Sequence, residues 1–117
     1  MEYKEYQKQA ARTCAKLAGN NDNNIHMILG MQTEVAELAD VFKKHLAYGK
    51  PIDWVNIKEE LGDLMWYIAN FCNMKDIDLE EVMQTNIDKL RARYPEKFTQ
   101  ENALNRNLET ERKILEQ

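Results

Sequence analysis

The chain has 117 residues, 44% hydrophobic and 31% charged, with 20 acidic against 16 basic side chains and a net charge of -4. That length suits one domain with its own core, and the acidic balance, with no basic run longer than two residues, excludes the basic stripe of a binder of nucleic-acid polymers. No apolar run approaches the roughly 20 residues that span a bilayer, and Met1-Glu2-Tyr3-Lys4-Glu5 lacks the apolar segment of a secretion signal, so a cytoplasmic protein free of membrane is expected.

Tyr3, Tyr6, Ala10, Cys14 and Leu17 recur at three- and four-residue steps, which predicts a first helix over residues 2–18 that ends at Gly19. Asn20-Asn21-Asp22-Asn23-Asn24 reads as a loop, because these side chains favour turns and caps. A second helix is expected from about Asn24 to Tyr48, with Ile25, Ile28, Leu29, Val35, Leu38, Phe42 and Leu46 as its apolar face. Beside that face runs a stripe of Glu34, Glu37, Val41 and Lys44. Gly30 inside the helix costs about 1 kcal/mol relative to Ala, so a close contact is its expected reason. Gly49-Lys50-Pro51 then stops the helix, with Gly49 as its cap.

Asp53 is the expected N-cap of a third helix, Trp54 to Met74, with Ile57, Leu61, Leu64, Ile68 and Phe71 or Cys72 inward. Asp78 and Glu81 form a variant capping box for a fourth helix that runs to Arg93 before Pro95. Phe98 is expected to fold back as an anchor. Beyond it, Leu104, Leu108, Ile114 and Leu115 give a narrow apolar face that predicts packing against a partner subunit, or fraying. Cys14 and Cys72 lack C-x-x-C spacing and read as buried, reduced thiols. With no strand-like alternation and no internal repeat, the expected fold is an all-α, four-helix up-down bundle over residues 1–98, followed by a charged helical tail over 99–117.

The carboxylates carry the chemistry. Glu34 and Glu37 are three residues apart on the second helix, and Glu60 and Asp63 three apart on the third, so each pair occupies one face, one turn apart. Either pair alone would be ordinary on a solvated helix. Two antiparallel helices would bring four anions together beside the core, where mutual repulsion and desolvation disfavour them unless a cation sits among them. Oxygen-only ligation suits Mg²⁺, or Mn²⁺ as a substitute, rather than zinc.

The E-x-x-E of Glu34 and Glu37, followed after 22 intervening residues by the E-x-x-D of Glu60 and Asp63 across a Gly-Lys-Pro turn, resembles the MazG-like all-α nucleoside triphosphate pyrophosphohydrolases. Tyr3 to Thr13, K-K-H-L-A-Y-G-K-P, Trp66-Tyr67, Asn86-x-x-Lys89-Leu90 and Arg93-Tyr94-Pro95-x-x-Phe98 extend the likeness over residues 3–98. Ala36 departs from it, since many relatives have Gly there. The resemblance implies hydrolysis of a nucleoside triphosphate to the monophosphate and pyrophosphate, with Mg²⁺ held by Glu34, Glu37, Glu60 and Asp63 and with Glu37 as base. It also implies Lys44, Tyr67, Asn86 and Lys89 as substrate contacts and a homodimer or homotetramer. Since the four glycines never form a P-loop, Lys89, with Lys44 or Arg93, is expected to grip the phosphates.

Two other readings stand beside this one: a non-enzymatic helical interaction module, and another carboxylate-bundle metalloprotein. The di-iron version of the latter needs Glu-x-x-His pairs, and Asn23 and Phe42 stand three residues before His26 and His45. Both histidines therefore read as structural or surface residues. Trp54 and Trp66 read as core aromatics, with base stacking as the alternative.

Overall fold

A computed structural model describes residues 1–17 and 19–117, with Asn20 described by its backbone alone. Six helices occur among these residues: α1 (Tyr3–Ala11), α2 (Asn20–Tyr48), α3 (Trp54–Met74), α4 (Leu79–Arg93), α5 (Gln100–Leu104) and α6 (Leu108–Leu115). The chain is all-α, and none of the helices is long and apolar enough to cross a membrane. Contacts divide it into two compact units, residues 1–77 and 78–117.

In the first unit α3 is central, packed against both α2 and α1. The ends of its hairpin with α2 are set locally. Gly49 adopts the left-handed conformation (φ 65°) and donates its N–H to His45 O at 3.0 Å, which closes α2. Asp53 then accepts the N–H of Asn56 at 3.1 Å and opens α3, as its N-cap position predicted. The short turn between these caps returns α3 antiparallel along α2.

Two expectations near the start are corrected. The first helix stops at Ala11 instead of continuing to residue 18, because tertiary bonds compete for its last turn. Ala10 O receives Asn70 Nδ2 at 3.2 Å, and Thr13 Oγ1 receives Trp66 Nε1 at 2.8 Å. The expected loop at Asn20–Asn24 is the first turn of α2, where Asp22 complements the helix dipole. Asn23 is drawn into it by bonding Leu17 N and O through Oδ1 and Nδ2, at 2.6 and 3.3 Å. The proposed last residue of the first helix, Ala18, lies outside the described residues.

The apolar face assigned to α2 is also displaced. Met27 is fully buried and Gly30 is buried, whereas Ile25, Ile28, Leu29, Val35, Phe42 and Leu46 are exposed. On α3, Ile57, Ala69 and Cys72 are buried, together with the polar Glu60 and Asn70, while Leu61 is exposed. Polar seam residues therefore enter the helix interface and part of the apolar stripe faces out. Gly30 has the reason expected of it, since the Tyr67 ring lies against its Cα and leaves no room for a Cβ. Cys14 is half-buried and Cys72 buried; both are free thiols, and burial raises both above the ordinary thiol range.

In the second unit Asp78 caps α4, accepting the N–H groups of Glu80 and Glu81 at 3.0 and 3.4 Å. Leu104, Leu108 and Leu115 of the tail's apolar face are exposed, while within the chain α6 packs on α4. Its anchor is Glu111, only 4% exposed, which accepts Arg93 Nε at 3.0 Å and Arg106 Nε at 3.1 Å. Phe98 is no buried anchor. It is 69% exposed, with its ring beside Tyr94 at 5.5 Å.

Candidate metal centre

The antiparallel α2–α3 pairing turns a sequence pattern into a cluster. Glu34 and Glu37 project from successive turns of α2 and meet Glu60 of α3, and one carboxylate oxygen from each lies within 4.8 Å of the other two. Burial is graded across the trio: Glu60 is buried, Glu34 half-buried and Glu37 exposed. Oε2 of Glu34 and Oε2 of Glu60 are both buried with no hydrogen-bond partner.

Such crowding disturbs titration. A carboxyl–carboxyl hydrogen bond to Glu60, reinforced by the Glu60 charge, raises Glu37 above the usual carboxylate range. Glu60 is raised first by its hydrogen bond with Glu34, then by burial and by the charges of Glu34 and Glu59, while its bond with Glu37 pulls the other way. Glu37 and Glu60 thus hold protons more tightly than isolated carboxylates do. Two orphaned oxygens, an all-oxygen donor set and mutual repulsion together fit a hard divalent cation, which would take the protons' place. Asp63 stands apart. It is exposed, lies outside the group of three and is felt through charge, adding to the rise of Glu37 and of the Tyr6 hydroxyl.

A cavity of about 670 Å³ opens beside the trio, lined by Glu37 and Glu60 together with Asp40, Lys44, Lys50 and Asn56. Lys44 therefore reaches the cavity, held there by Asp40 at 2.7 Å. That bond raises Lys44 and lowers Asp40. Asp40, Lys50 and Asn56 were not picked out from sequence. Two of them were within reach of the same spacing argument, Asp40 one turn after Glu37 and Asn56 one turn before Glu60.

Residues 22–98 match the family model described as the MazG nucleotide pyrophosphohydrolase domain. The chain belongs to this family. It is also 35% identical, over 75 residues, to the Gene 37 protein of Mycobacterium phage L5; the match covers 58% of this chain and 63% of that protein's length. No solved structure gives a significant match.

The remaining residues expected of a MazG site fall in two places. Tyr67 packs on Gly30 and meets Trp66 and His26 edge to face, with ring centroids 5.0 and 6.1 Å away, so its ring is fixed by packing. Trp66 is committed to Thr13 through its indole N–H, whereas Trp54 is 61% exposed. Asn86, Lys89 and Arg93 lie on α4, in the second unit. Asn86 is exposed and Lys89 half-buried, while Arg93 is tied to Glu111.

Proposed function

We propose that this MazG-family chain is a Mg²⁺-dependent nucleoside triphosphate pyrophosphohydrolase, cleaving between the α and β phosphates to give the monophosphate and pyrophosphate. The observation that supports this most directly is the Glu34–Glu37–Glu60 trio, with two buried oxygens lacking partners, at the edge of a cavity large enough for a nucleotide. Glu34, Glu37 and Glu60 would hold the cation, with Asp63 as a further ligand from the adjoining turn; Mn²⁺ would serve as a substitute. Bound there, it would supply neutralisation of phosphate charge and a more acidic water.

The side chains do the rest. Glu37 is the base in this reading: it is the exposed member of the trio, it lines the cavity, and its hydrogen bond with Glu60, followed by the Glu60 charge, raises its affinity for a proton. Lys44 and Lys50 meet phosphate oxygens from the cavity wall, and Asn56 offers an amide to the sugar or base. The likeness to the family also nominates Asn86, Lys89 and Arg93 of α4 as substrate contacts, Arg93 being bonded to Glu111 in this structure. Tyr67 positions, by holding α2 and α3 at one separation. The exposed Ile25, Ile28, Leu29, Val35 and Phe42 of α2 support association into a homodimer or homotetramer.

Reaction in ¹⁸O-labelled water tests the bond that breaks. The label should enter the nucleoside monophosphate and not pyrophosphate. Orthophosphate with a diphosphate product, from a preparation free of contaminating phosphatase, would overturn the assignment.

A further inference from the structure

Lys44 and Lys50 are the two cations on the wall of the cavity beside the trio, and they are held differently. The Lys44 ammonium lies 2.7 Å from Oδ2 of Asp40, which stands one turn earlier on α2. Lys50, past the end of that helix, forms no ion pair among the described residues, although its carbonyl is bonded to His45 Nδ1 at 2.8 Å. One lysine of the wall is therefore placed, and the other is free to follow a ligand.

Helix geometry shows what the placement accomplishes. Lys44 is seven residues beyond Glu37, about 10 Å along the axis, and an unrestrained lysine at that level extends into water. Asp40 draws its ammonium back towards the level of residue 40, about 4.5 Å beyond Glu37 and so towards the trio. The same carboxylate also takes Lys43, at 3.5 Å, but Lys43 is not on the cavity wall. Asp40 and Lys44 are 38% and 51% exposed, so their pairing adds little to the stability of the fold. Its effect is on where the charge stands.

We propose that Asp40 is a positioning residue, which sets the Lys44 ammonium against the pyrophosphate half of the triphosphate; the inference rests on the pyrophosphohydrolase reading above. In that reaction the water oxygen bonds to the α-phosphorus, one of its protons passes to Glu37, and the bond from the α-phosphorus to the bridging oxygen breaks. The electron pair of that bond stays on the pyrophosphate, whose charge grows as the reaction proceeds. An ammonium already in place stabilises this charge without reorganising, which speeds the chemical step. Asp40 also offsets part of the Lys44 charge and repels the triphosphate, so it adds nothing to the affinity for substrate. Its signature is thus in kcat and not in KM.

The test measures pyrophosphate release with Mg²⁺ from the four ribonucleoside and four 2′-deoxynucleoside triphosphates, and carries the best substrate into full kinetics. Asp40→Asn should lower kcat tenfold or more with KM unchanged or lower, and Asp40→Glu, which keeps the charge, should recover most of the loss. In a Lys44→Met background Asp40→Asn should have no further effect, and Lys43→Ala should stay within twofold of wild type. The Tm of Asp40→Asn should fall by about 2 °C or less, which separates this role from a structural one. Lysine NMR reads the pair without turnover: the Lys44 signal, identified by its loss in Lys44→Met, should titrate above the ordinary lysine range in the wild type and return towards it in Asp40→Asn. A kcat for Asp40→Asn within twofold of wild type, a rise in KM alone, an equal loss in the Lys44→Met background, or a Lys44 titration unmoved by Asp40→Asn would each overturn the positioning role alone. A wild type that forms no pyrophosphate from any of the eight overturns the pyrophosphohydrolase reading, and this inference with it.

Discussion

Replacing Gly30 by Ala sets two opposed effects against each other on one atom. Inside a helix the change gains about 1 kcal/mol in propensity. The added Cβ, however, would stand 2.1 Å from Tyr67 Cε1 and 2.3 and 2.4 Å from the two neighbouring ring atoms. Carbon atoms sit comfortably at about 3.5–4.0 Å, so the ring or the helix must yield by roughly 1.4 Å. Tyr67 has little freedom to yield, being flanked edge to face by Trp66 and His26. Overpacking of this kind costs about 1–3 kcal/mol, and three ring atoms in conflict put the cost near the upper end. The net loss is then about 2 kcal/mol, a fall in Tm of about 8 °C for a chain of this size. Thermal melts followed by circular dichroism read it directly. A Tyr67→Ala background should remove the clash and leave only the propensity gain, so the two backgrounds should differ by about 3 kcal/mol in the effect of the same substitution. An unchanged or raised Tm for Gly30→Ala, or an equal cost in both backgrounds, would refute the reasoning.

Thermal melts with Mg²⁺ against excess chelator should show stabilisation, since a ligand of the folded state alone stabilises by mass action. Because Glu37 and Glu60 are raised in the folded chain, the metal-free protein should gain stability as pH falls from above their raised values towards the ordinary carboxylate range; protons then compete with metal, and the Mg²⁺ increment should shrink at pH 5.5 relative to pH 8. Glu37→Gln should reduce turnover at least a hundredfold with the helical signal intact, while Glu80→Gln, on the exposed start of α4, should stay within twofold of wild type. Glu111 is lowered, chiefly by its hydrogen bonds with Arg106 and Arg93, so its contribution is complete above the ordinary carboxylate range and is lost as pH falls through its folded value; Glu111→Gln should lower the Tm at pH 7 and bring it closer to wild type in acid.

Features fixed by neighbours in the chain were legible in the sequence. Gly49, Asp53 and Asp78 act within a few residues of themselves, and the ends of α2, α3 and α4 fall where those residues implied. The i, i+3 acids were legible for the same reason, although spacing could not tell that Glu34, Glu37 and Glu60 converge while Asp63 stays outside. What periodicity missed depended on distant partners. The end of α1 is decided by Asn70 and Trp66, more than fifty residues away along the chain. The inward face of α2 is decided by how closely Gly30 admits Tyr67, so counting apolar residues rotated the helix away from its real contact.

The Arg93–Glu111 pair bears on where this protein can be cut. Residues 22–98 are what the family has in common, and a fragment with those limits would be the natural choice for expression. It would leave Arg93 without the carboxylate that neutralises it and α4 without the helix that covers it. At the other end it would remove the carbonyl of Ala10 that engages Asn70 and the hydroxyl of Thr13 that engages Trp66. Shared ancestry and mechanical self-sufficiency have different boundaries here, and residues outside the common segment hold two of its helices in place.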